Sequence, residues 1–226
     1  SLSSRQRIVV QREISRLRRS NENPERLEAL EKEYLYAGNQ TCAGDGLCAT
    51  SCPMEIDTGE LTHYIREANL PAGSVGYRVG NFAANHLSGI KSSLRPVLNT
   101  ARLTQNVIGN SAVNAVGKGL HKVGIPLWTS SLPKAVKVHP KEIQPFSSDK
   151  KVVYFPSCIN QTMGTQKSAP DKTPLVNKMT SLLNKAGYEI IFPKGMENLC
   201  CGMIWESKGM LDIADRKSEE LEKSLW

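Results

Sequence analysis

The stretch T-C-A-G-D-G-L-C-A-T-S-C-P-M-E-I-D-T-G-E-L, Thr41 to Leu61, holds three closely spaced cysteines, Cys42-x5-Cys48-x3-Cys52, with Pro53 directly after the last. A bacterial iron–sulfur ligand run reads C-x2-C-x2-C-x3-C-P. Laid over it, Cys42, Cys48 and Cys52 take the first, third and fourth ligand positions, and Asp45 takes the second. Ala43, Gly44, Gly46 and Ala49 are small enough for the backbone to curl around a cube of iron and sulfide, with its N–H groups bonding to the sulfurs. The competing reading is buried thiols or half of a zinc site. Zinc sites usually present paired C-x2–4-C units or histidines, and the loop has neither; His63 lies eleven residues past Cys52. The spacing favours iron–sulfur ligation and is silent on the reaction.

Working outward, the 226 residues allow one large or two small domains. No run of 18 apolar residues occurs and no secretory signal opens the chain. Six cysteines in ligand-like spacings point to a reducing compartment rather than a disulfide scaffold. The expected location is cytoplasmic, or peripheral to the inner membrane. The net charge of +7 is unevenly placed. Between Ala68 and Lys141 there is no Asp or Glu, yet Arg78, Lys91, Arg95, Arg102, Lys118, Lys122, Lys134, Lys137 and Lys141 all fall there. A basic, acid-free segment favours an acidic protein face, anionic headgroups or an anionic substrate. No nucleic-acid recognition motif accompanies the charge, so nucleic acid is not expected.

In chain order, the spacing predicts a helix over residues 4–19, capped by Ser3 or Ser4, and a second from Pro24 to a stop at Gly38. Past the cysteine loop, Asp57 and Glu60 predict a reciprocal N-cap and a helix to Asn69. His63 and Tyr64 read there as packing or surface residues. Residues 74–122 read as two or three helices, one kinked by glycines and Pro96. Their apolar positions include Val75, Val79, Phe82, Ile90, Leu94 and Val97. That stripe reads as core with the charges on its solvated side; the alternative is a stripe lying on a membrane. Gly124 to Ser148 is proline-rich and reads as an extended linker anchored by Leu127, Trp128 and Leu132.

Beyond it the pattern changes. Lys151–Phe155 and Tyr188–Phe192 read as strands, with helices over 174–185 and 206–225. This is the start of a parallel α/β unit. The strands lead to Cys158 and to the pair Cys200–Cys201. Because ligand sites gather at the carboxyl ends of parallel strands, Cys158 and the pair are expected to meet in space. The organisation is therefore 1–72, a helical cysteine-loop region; 73–123, a basic helical segment; 124–149, a linker; and 150–226, a cysteine-rich α/β region. The fold class expected is mainly α.

With both cysteine sets stated, the pattern resembles a known family. The run Thr41–Gly59 resembles the iron–sulfur region of the large FAD-linked D-lactate dehydrogenase and glycolate oxidase-like flavoproteins. Cys158 with Leu199-Cys-Cys-Gly202 resembles the cysteine-rich CCG domain that those proteins share with heterodisulfide reductases and anaerobic glycerol-3-phosphate dehydrogenase subunits. The C-x5-C-x3-C-P spacing also resembles the three-iron loop of succinate dehydrogenase and fumarate reductase iron–sulfur subunits. The resemblance implies an all-helical ferredoxin-type domain followed by a truncated parallel α/β CCG half-domain. It implies metal ligation by Cys42, Cys48 and Cys52, with Asp45 a weak oxygen ligand that favours a three-iron cluster, and by Cys158, Cys200 and Cys201. The cofactors implied are 4Fe–4S or 3Fe–4S clusters here and FAD in a preceding flavin domain of the same polypeptide. Electrons from a 2-hydroxy acid would leave through the clusters to a quinone or other carrier.

The family has a further cysteine run upstream of Ser1 and further CCG cysteines after Trp226, so the chain is expected to be an internal fragment with an incomplete cluster, inactive alone. Two other readings stay open. One is a heterodisulfide-reductase-like or glycerol-3-phosphate dehydrogenase-like subunit. The other is a non-catalytic metal-binding module whose basic helices dock on an acidic partner or a membrane.

Overall fold

A computed structural model describes residues 1–121, 133–138, 146–166 and 168–226. The expected anchors Leu127, Trp128 and Leu132, and the basic residues Lys122 and Lys141, lie outside the described residues. The chain is mainly helical, with a small parallel two-stranded sheet. It divides into two interleaved compact units, Ser1–Phe82 with Cys201–Ser218, and Ala83–Cys200 with Glu219–Trp226.

The first unit opens with α1 (Ser4–Ser20), whose cap is Ser3: its hydroxyl accepts from Gln6 N–H and the Gln6 side chain returns the bond. Asn21 in the left-handed region ends the helix, and Asn23 caps α2 (Pro24–Tyr34) with Pro24 in the first turn. Ile14 and Leu17 are fully buried, each worth about 1.5–3 kcal/mol. Instead of stopping at Gly38, α2 continues as a π-helical turn, Leu35–Gln40. The reason is local: a side chain at Gly38 would strike the Tyr34 ring, while the buried Arg7 donates to the Gly38 carbonyl at 2.9 Å. After the cysteine loop and the short α3 (Leu47–Thr50), α4 (Thr58–Ala68) starts where expected. Asp57 accepts from the Gly59 and Glu60 N–H groups, while the Glu60 carboxylate accepts the Tyr64 hydroxyl.

The first eight residues of α5 (Val75–Asn85) also belong to this unit, with α9 (Met203–Glu206) and the start of α10 (Leu211–Leu225). The expected helix over 206–225 is thus two helices, parted by Gly209 at φ 78°. Trp205 donates to the Gly80 carbonyl, Tyr77 to Asp212, and Arg216 to Asn81.

In the second unit, α6 (Leu87–His121) is broken at Gly109, whose φ of 81° is not helical. Pro96 sits inside it without ending it. The expected stripe is out of phase with the buried face. Lys91 and Leu98, seven residues apart, are buried, whereas Ile90 and Val97 are exposed. Lys91 turns inward because polar partners meet it there. The strands β1 (Lys151–Val153) and β2 (Glu189–Ile191) pair in parallel, Val152 opposite Ile190. They are joined through α7 (Cys158–Thr162) and α8 (Leu175–Lys185). Part of the expected linker is pinned: the Val136 N–H donates to the Thr162 carbonyl and the Gly164 N–H to the Lys134 carbonyl. No helix among the described residues is long and apolar enough to cross a membrane.

Candidate functional site

The cysteine loop is shaped by two left-handed glycines, Gly44 (φ 70°) and Gly46 (φ 69°). At Gly44 a Cβ would press on Nε2 of His63, which would have to shift, on top of the strain of a positive φ. Gly46 instead starts α3 and brings Cys48 onto the first turn of α4. There Cys48 Sγ accepts the Thr58 N–H at 3.3 Å and lies 3.2 Å from the Thr58 hydroxyl. The Thr58 hydroxyl, then its N–H, the Gly59 N–H and the Ser4 hydroxyl, hold the Cys48 thiol below the usual range against the opposing effect of burial. The same thiol donates to Asp57 Oδ1 at 3.6 Å.

Arg66, in the last turn of α4, clamps the loop's other side. It donates to Asn39 Oδ1 (2.9 Å) and to the carbonyls of Asn39 (2.7 Å), Cys42 (2.7 Å) and Ser207. Four acceptors on one guanidinium fix the chain entering Cys42. His63 is 8% exposed, its Nδ1 3.6 Å from Glu206 Oε1, and its Nε2 is buried with no hydrogen-bond partner among the described residues. His63 is thus a packing residue, as expected, but packed against the loop itself. Neither Arg66 nor the His63–Gly44 approach shows in spacing, since both depend on distant chain segments, as far as Ser207 for Arg66; only Gly44 between two cysteines hinted at a close approach.

Asp45 is exposed and accepts the Leu47 N–H at 3.2 Å, capping its own turn. Cys42 and Cys52 are partly buried. Cys201 is exposed and belongs to the first unit, where it lines a cavity of about 770 Å³ with Asp45, Asp57, Glu60, His63 and Glu206. Cys158 and buried Cys200 belong to the second unit, where both lie near enough to Lys91 to interact with its charge. The adjacent pair is divided: Cys200 goes with Cys158, and Cys201 with the cysteine loop's unit.

The residues fit an iron–sulfur cluster only in part. Cys48 has the donors of a thiolate ligand, but among the described residues no group of three or more His, Cys, Asp and Glu side chains is arranged to hold a metal ion. A closed ligand set is therefore not formed by these side chains as placed. Comparison with known proteins adds no assignment: no family model, curated protein or solved structure matches the chain.

Proposed function

We propose that the chain is part of the iron–sulfur electron-transfer segment of an FAD-linked 2-hydroxy-acid dehydrogenase. Cys42, Cys48 and Cys52 then belong to a ferredoxin-type helical loop, and Cys158, Cys200 and Cys201 to a CCG-type region, with donors from outside the described residues completing the sets. Substrate oxidation falls to a flavin domain, and a quinone or other carrier receives the electrons. The observation that carries this reading is the surroundings of Cys48, whose sulfur accepts the Thr58 N–H at the start of α4 and whose thiol is held below the usual range first by the Thr58 hydroxyl and then by nearby N–H groups. Donors aimed at a sulfur favour its anionic, ligating form. What the chain's own residues do is position: Arg66 fixes the loop entry, Asp57 holds the first turn of α4, and Gly44 admits His63 behind the loop.

The test is iron and acid-labile sulfide per chain after anaerobic reconstitution, with an EPR spectrum of the same sample. Substoichiometric iron and sulfide that disappear in Cys48→Ser support the reading. Tight zinc with no sulfide, or iron indifferent to Cys48→Ser, rejects it.

A second reading, a metal-binding interaction module, draws on the apolar side chains around the loop: Tyr36, Leu47, Met54 and Ile56 are all exposed. A metal-loaded chain with no reversible redox signal would favour it.

A further inference from the structure

Lys91 is 5% exposed, on α6 of the second unit. Burial pushes its ammonium down from the usual lysine range, opposed by Cys158, Cys200 and Glu197. An ammonium has three N–H donors. Gln161 Oε1 accepts one at 2.9 Å and the Met196 carbonyl a second at the long distance of 3.5 Å. One turn on, Arg95 spends two of its five N–H donors on the carbonyls of Val136 (3.2 Å) and Gln161 (3.3 Å). Those bonds tie α6 to α7 and to the pinned segment around Val136, and they fix the guanidinium beside the lysine.

Lys91, Arg95 and Lys137 line one cavity of about 490 Å³, together with Ser88, Ser92 and Gln161. A single carboxylate, Glu197, stands against those three cations in the lining. The volume is that of a small-molecule site. Keeping a cation this buried is costly unless anions balance it, and a lining of three cations to one carboxylate leaves positive charge for a bound anion to meet.

We infer that this cavity is an oxyanion site, taking a small carboxylate or phosphate compound on Lys91 and Arg95, with Lys137 at its exposed edge and the two serines as neutral donors. It shares no residue with the cysteine loop, so failure of ligation by Cys42, Cys48 and Cys52 leaves it standing.

The experiment is calorimetric titration of the full chain with malonate and, separately, with inorganic phosphate, in chloride buffer of constant ionic strength. Saturable binding of either probe is expected, and the probe that binds tells carboxylate from phosphate. Lys91→Met should weaken it at least tenfold and Lys137→Ala severalfold, while Lys134→Gln, an exposed lysine outside the lining, should leave it unchanged. Lys137→Ala also serves if Lys91→Met does not fold. Absence of saturation with both probes, or equal weakening by Lys134→Gln, overturns the assignment.

Discussion

Gly44 shows how much one position in the loop decides. Its φ of 70° alone disfavours any side chain by about 1–2 kcal/mol, and a methyl group there would meet His63. Gly44→Ala should therefore destabilise the first unit by at least about 2 kcal/mol, read as a lower urea midpoint at unchanged slope. The two causes separate in a double variant. His63→Ala removes the obstacle but not the backbone strain, so Gly44→Ala should cost less in that background. Equal costs in both backgrounds would mean that the His63 approach contributes nothing. Arg66 is the complementary case. Arg66→Met leaves the partly buried Cys42 carbonyl without its Arg66 donor, a group worth about 1–3 kcal/mol when unsatisfied, and takes one donor each from the Asn39 carbonyl and side chain. A loss of about 2–4 kcal/mol is expected, with faster alkylation of Cys42 than in the parent chain. Unchanged stability and unchanged Cys42 reactivity would deny the clamp.

At the level of elements, α5 and α10 meet within the first unit through Tyr77 and Asp212. The hydrogen bond to Asp212 is the largest of the causes that raise the Tyr77 phenol above its usual range. A group whose folded value is raised stabilises the fold below its unfolded value, near pH 10, and that stability is lost as pH rises through the folded value. Alkaline unfolding of the parent chain should therefore carry a component above about pH 10 that Tyr77→Phe lacks. Denaturant midpoints measured across that range check this, and parallel curves for the two proteins would exclude it. These elements also show what was legible in the sequence. The caps at Ser3, Asn23 and Asp57 sit where serine, asparagine and aspartate precede apolar periodicity, so α1, α2 and α4 could be placed from local chemistry. Both strands were legible for the same reason, from β-branched runs. The phase of α6 was not: the inward lysine is stabilised by Gln161 and Met196, 70 and 105 residues away, and periodicity counts a lysine as outward. The setting of Cys48 was half legible, since the cysteine spacing suggests a ligand but not that Thr58 supplies its donors.

For the molecule as a whole, the decisive fact is that the first unit is discontinuous. Reading composition along the chain places a boundary near residue 148, because proline-rich sequence separates helical from α/β patterns. Residues Cys201–Ser218 nevertheless return to the first unit. Their bonds there are specific: Ser207 accepts from Arg66, Trp205 donates to the Gly80 carbonyl, and Arg216 donates to Asn81. Such closures join residues more than a hundred positions apart, and local pattern carries no trace of them. A chain ending at Ser148 therefore removes α9 and α10 from the unit that holds the cysteine loop. It leaves Arg66 short of one acceptor, the Gly80 carbonyl without its indole donor, and the Met210 site on Gly80 bare. Hydrogen exchange tests this element by element. In the shortened chain, amides of α4 and α5 should exchange much faster than in the full chain, while those of α1 and α2, which pack on each other, should be slowed far less by restoring residues 201–218. If α4 and α5 keep full protection without residues 201–218, the first unit closes on its N-terminal helices alone, and the return of the chain is ornament rather than structure.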